Sequence, residues 1–81
     1  MNCSQYIIAQ AQGRAGCQVH LVANLIGSYR NAAENYQLAT KKGKKAIAAR
    51  SLAIFNQTQN ALERIGRGEI VNRNDLTGVL L

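Results

Sequence analysis

Between Val22 and Ala39, apolar residues recur at alternating spacings of three and four: Val22, Leu25, Tyr29, Ala32, Tyr36 and Ala39, with Ile26 and Ala33 beside them. That rhythm holds one seam on one side of an α-helix. A second seam follows after a short break, through Ala48, Leu52, Phe55, Gln59 and Leu62, flanked by Ala49 and Ile65. No proline interrupts either segment. The break between them is Lys41-Lys42-Gly43-Lys44-Lys45. Gly43 supplies the left-handed residue that ends a helix, and Lys41 and Lys42 lie where the negative end of the first helix's dipole favours cations. Lys44 and Lys45 instead open the second helix, where an exposed cation is unfavourable by about 0.3–1 kcal/mol. Their presence is explained by solubility at a solvated tip or by an anion that binds there.

The flanking segments are short. Residues 1–16 form a lead-in, with Ser4 as the expected N-cap of a helix carrying Tyr6, Ile7, Ile8 and Ala11 that ends or kinks at Gly13-Arg14-Ala15-Gly16. The first long helix is expected over 17–42 and the second over 44–66. The second is closed by Gly66 and Gly68, with Arg64 and Arg67 complementing its dipole. In the tail, 67–81, an extended link at Glu69-Ile70-Val71 precedes a last turn capped by Asn72 or Asn74 and carrying Leu76, Val79, Leu80 and Leu81. A chain end of this kind either folds back over its own hairpin, the commoner outcome, or docks on a second chain. The expected fold is all-α: a single domain, a helical hairpin of two long helices with short terminal helical segments.

Composition changes that picture in one respect. Leu, Ile, Val and Phe number 20 of 81 residues, enough to exclude disorder, but twelve alanines carry much of the apolar content and bury little area each. A lone hairpin with so thin a core is marginal. Pairing of two copies into a four-helix bundle is the expected remedy, with Gln59 as a polar position that sets register or a solvated seam edge. No apolar run approaches the roughly twenty residues of a membrane span, and no secretory signal is legible, so a cytoplasmic protein with reduced Cys3 and Cys17 is expected.

Charge narrows the partners. Ten Lys and Arg against four acids give a net charge of +6, which favours an anionic partner: nucleic acid, DNA or RNA, or an acidic protein surface. On the second helix Arg50, Gln57, Asn60, Arg64 and Arg67 share one stripe with only Ala46 and Ala53 between them. From Arg50 to Arg64 that stripe spans about 21 Å, long enough to follow a phosphate backbone. Together with Lys41, Lys42, Lys44 and Lys45 it makes a continuous basic edge, partly neutralised by an expected Glu63–Arg67 pair at four-residue spacing. An ordinary solvated helix face has the same composition.

Other constellations carry less. Gly13-Arg14-Ala15-Gly16 before a helix resembles the GxxG loop of KH domains over about ten residues, but that fold needs a three-stranded sheet and the sequence offers at most Glu69–Val71 as strand. Cys17 and His20, three apart, would share a helix face and Cys3 would make a third soft ligand, one short of a structural zinc set, so no metal or other cofactor is expected. His20 is the single histidine and the four acids form no close pair, so no catalytic activity is expected. Tyr29 and Tyr36, seven apart on the seam, are core residues first, with base stacking a second reading. The leading expectation is a small dimeric accessory or regulatory factor that binds nucleic acid. Its rival is a protein-interaction module, an assembly subunit or small inhibitor of the kind frequent among virus- and plasmid-encoded proteins.

Overall fold

Three α-helices pack together in the computed structural model, which describes residues 3–76, 78 and 79, without the side chains of Cys3, Ser4, Cys17 and Asp75. They are α1 (Cys3–Gly13), α2 (Val19–Lys41) and α3 (Lys45–Gly66), with 3-10 turns at Gly16–Gln18 and Arg73–Leu76. No strand occurs among the described residues, so the sheet that a KH fold requires is not there. The expected tail residues Leu80 and Leu81 lie outside the described residues.

Local rules account for the ends of the helices. Gly43 adopts φ +73, which lets the Lys44 N–H donate to the Ala39 carbonyl at 2.8 Å and the Gly43 N–H to Thr40 at 3.2 Å. This is the Schellman arrangement, in which a left-handed residue turns two otherwise orphaned carbonyls into acceptors. Gly68, at φ +88, repeats it for α3, with Glu69 N–H on Arg64 at 3.0 Å and Gly68 N–H on Ile65 at 2.9 Å. The start of α3 has no such support: Lys44 caps it without a side-chain hydrogen bond, and the first turn holds no acid. At the amino end, α1 already includes Cys3, so Ser4 falls inside the helix rather than ahead of it. The second long helix runs from Lys45, and the first from Val19 after the turn at Gly16–Gln18, each one or two residues inside the expected bounds.

The most extensive packing is between α2 and α3, joined through Lys42-Gly43-Lys44, and α1 packs chiefly on α3 and less on α2. Gly66 permits the former of these approaches by α1: a Cβ there would meet the Gln10 Cβ at 3.2 Å and Oε1 at 3.3 Å. The core joins Ala11 and Ala15 to Leu21, Val22, Leu25 and Tyr29 of α2 and to Ala61, Leu62 and Ile65 of α3, with Ile7, Ile8, Ile26, Ile54 and Phe55 partly buried around it. Tyr29 and Phe55 stack with ring centroids 4.6 Å apart.

The α3 seam is rotated from the expected one. Ser51, Thr58, Ala61, Leu62, Ile65 and Gly66 are its buried positions, whereas Leu52 and Ala49 are exposed. Apolar patterning overlooks Thr58 because its hydroxyl is bonded within its own helix, donating to the Phe55 and Ile54 carbonyls at 2.9 and 3.0 Å. A polar group satisfied locally is buried at little cost and presents only its methyl to the neighbour. Small Ser28, Ala32 and Ser51 at the buried positions then let α2 and α3 come close.

The tail folds back onto this helical body. Val71, Leu76 and Val79 are buried and belong to the core or its margin. The extended link is fixed by the Gln18 side-chain amide, which donates to the Val71 carbonyl and accepts from the Val71 N–H at 3.4 Å. One amide thus replaces a ladder partner for a single residue of extended backbone. The Asn72 side chain accepts from the Asn74 N–H at 3.2 Å and starts the last 3-10 turn.

Candidate nucleic-acid interface

The tip of the α2–α3 pair and the start of α3 carry five of the ten Lys and Arg. Lys41 closes α2, Lys42 and Lys44 flank Gly43, Lys45 opens α3 and Arg50 follows within two turns; all five are exposed. Among the described residues the ion pairs are Arg64–Glu69 and Arg67–Glu69, so none of the five tip cations is in one. Ala46 and Ala53 are exposed on the α3 face that carries Arg50, whereas Lys45, five residues before it, lies on another face of the helix.

The other half of the basic stripe is different. Gln57, Asn60 and Arg64 line an open cavity of about 300 Å³ with Val71, Leu76 and Val79, so the returning tail runs along them. Arg64 and Arg67 both donate to Glu69, through Nε at 3.3 and 3.1 Å, and Nη2 of Arg67 lies 3.1 Å from the same carboxylate. The expected Glu63–Arg67 pair is replaced by this fork. The cause is the turn at Gly68, which places the second residue past the helix against its last turn; an apolar pair often occupies that place, and here Arg64 and Glu69 do. Hydrogen bonds from Arg64 and then Arg67 hold the Glu69 carboxyl below the usual glutamate range. The stability this fork contributes is therefore complete above the ordinary glutamate pKa and is lost as pH falls through the lowered one. Its groups are exposed, and the contribution is small.

The sequence-predicted edge is thus not uniform. Lys41, Lys42, Lys44, Lys45 and Arg50 form an unneutralised group, whereas Gln57, Asn60, Arg64 and Arg67 are adjacent to the tail, and the two arginines share one acid. Sequence patterning misses Glu69 and Gln18 as organising residues because their partners are set by the return of the tail; the signal that points to Glu69 is its place just after Gly68.

His20 is exposed and no group of three His, Cys, Asp or Glu that could hold a metal occurs among the described residues; the side chains of Cys3 and Cys17 lie outside them. Among the described residues no helix is long and apolar enough to cross a membrane. No family model, curated protein or solved structure matches the chain. Fold and charge together define a small, basic three-helix protein.

Proposed function

We propose that the protein binds nucleic acid through the tip of the α2–α3 pair, without enzymatic activity, as an accessory or regulatory factor. The observation that carries this reading is the set of five exposed cations, Lys41, Lys42, Lys44, Lys45 and Arg50, outside every ion pair among the described residues. Two of them stand at a helix start where they cost stability; a polyanion repays that cost. Gln57, Asn60, Arg64 and Arg67 extend the contact along α3 once Glu69 gives way.

The test is titration of the purified protein against labelled single- and double-stranded DNA and RNA at two salt concentrations. Binding that weakens steeply with salt is expected, because each phosphate neutralised releases counterions; no binding at low salt removes the reading. Glu69→Gln frees Arg64 and Arg67. It is expected to tighten binding and to steepen the slope of log K on log salt by up to about 1.8 for duplex, about 0.9 for each of two further phosphates. Wild-type binding tightens in the same way as pH falls through the lowered Glu69 pKa, and the substituted protein loses that pH dependence. An unchanged slope would show that Arg64 and Arg67 stand outside the interface.

The second reading is a protein-interaction hairpin, with α2 and α3 of two copies pairing as a four-helix bundle or docking on an acidic protein. It is favoured by the apolar residues left exposed near the tip: Tyr36, Ile47 and Leu52. Mass in solution, measured in the titration buffers, decides whether two copies pair.

A further inference from the structure

The seam between α2 and α3 is covered along only part of its length. Leu25 and Leu62 are fully buried, and Tyr29 is 5% exposed. Seven residues on, and therefore on the same face of α2, Tyr36 is 36% exposed, and Leu52 opposite it 40%. Between them is an open groove of about 240 Å³, lined by Ala33, Tyr36, Gln37, Leu52 and Phe55. The Phe55 ring at its floor is held by its stack on Tyr29, 4.6 Å between centroids and 24° between planes.

Charge surrounds this groove. Six of the ten Lys and Arg lie between Arg30 and Arg50, with Glu34 the single acid in that interval. Helical register puts Arg30, Glu34 and Lys41 on the α2 rim with Gln37, at spacings of seven, three and four, and Lys45 on the α3 rim seven residues before Leu52, so the groove has three cations and one acid around it. All three cations are exposed, and none belongs to an ion pair among the described residues.

We propose that the groove is a stacking site for one base of a single-stranded nucleic acid whose phosphates lie on the tip lysines. This rests on the nucleic-acid function proposed for the tip and assigns its strand type. Size and length favour that occupant. The volume is below the roughly 300–1,000 Å³ of sites that enclose drug-sized ligands, so it suits a single flat ring. From Ala33 to Gln37 it spans about 6 Å, one helical turn, whereas a docked amphipathic helix needs anchors over about two turns. A second copy would bring a rim of the same net sign, three cations against Glu34, and a patch one helical turn long falls far short of the roughly 800 Å² per partner of a standard interface. Aromatic side chains beside cations are the usual platform for unpaired bases, because every base offers a π-face. Duplex keeps its bases stacked internally and leaves the groove empty.

The experiment compares wild type, Tyr36→Ala and Tyr36→Phe in binding a labelled oligothymidylate, a mixed-sequence single-stranded RNA and a duplex of equal length. Circular dichroism of each variant checks the fold. Single strands are expected to bind more tightly than duplex, and Tyr36→Ala to weaken them by about five- to a hundredfold with duplex affinity unchanged and Tyr36→Phe near wild type. Equal loss on duplex and single strand, or no loss on either, overturns the stacking site while leaving the basic tip as a binding surface. Absence of binding to any of the three probes overturns both readings. A dimeric mass that becomes monomeric in Tyr36→Ala, with single-strand affinity unchanged, assigns the groove to self-pairing and also overturns the proposal.

Discussion

Replacing Leu62 with Ala lowers the unfolding free energy by about 2–5 kcal/mol, whereas the same change at Leu52 costs well under half as much. Leu62 is fully buried and belongs to the core shared by all three helices, and Leu52 is 40% exposed on the uncovered part of the seam. The gap has large consequences in a chain of 81 residues, whose total stability is on the order of 4–12 kcal/mol at typical per-residue values. In thermal unfolding a loss of about 3 kcal/mol corresponds to a fall in Tm on the order of 15 °C for a domain of this size. Equal losses at the two leucines would mean that the tip half of the seam is covered in solution, which a four-helix pairing of two copies would do.

Changing Lys41, Lys42, Lys44 and Lys45 together to Gln has the opposite profile, a large effect on binding with little on the fold. Every phosphate left without its lysine reduces the slope of log K on log salt by about 0.9 for duplex and about 0.7 for single strands, so the fourfold variant is expected to bind with a slope shallower by up to about 3.6 for duplex and about 2.8 for single strands. All four side chains are exposed and outside the ion pairs found among the described residues, and Gln is nearly as good a helix former as Lys. The dipole terms oppose one another: Lys41 and Lys42 leave a helix C-terminus that favours them, Lys44 and Lys45 a helix N-terminus that does not. Net stability is therefore expected to stay within a few tenths of a kcal/mol. If affinity and salt slope survive this substitution in a folded protein, the tip is a solubility feature, and an acidic protein partner becomes the reading to pursue.

Much of this architecture is legible from the chain because it follows from neighbours in sequence. The three-and-four spacing gives α2 its buried face at Val22, Leu25, Tyr29, Ala32 and Ala39, but Tyr36, expected in the same core seam, is exposed. Of the expected stop signals, Gly43 and Gly68 carry the positive φ that ends each long helix, whereas Gly66 is still helical. The cap at Asn72, which accepts from the Asn74 N–H, is local as well. Patterning misplaces the α3 seam because apolarity is an incomplete guide to burial: Thr58 is fully buried with its hydroxyl bonded one turn back, while Leu52 is left 40% exposed.

The basic stripe shows the same division. Residue types and helical register place Arg50, Gln57, Asn60 and Arg64 together on α3, with Arg67 at its C-cap, which is a property of one helix. Which of those cations is free depends on where the tail returns. Glu69 collects Arg64 and Arg67, and the link that carries it is pinned by Gln18, 53 residues away in sequence from Val71.

The sequence by itself determined the helices, the glycine stops of the two long ones and the accumulation of positive charge at the turn between them, because helix periodicity, glycine conformation and the dipole act within a few residues. Only the tertiary structure decided that α1 and the tail cover the seam away from the tip, leaving Tyr36 and Leu52 exposed beside unneutralised lysines. That outcome depends on packing between distant segments, and on a thin core that has apolar surface enough to close one part of the seam but not all of it.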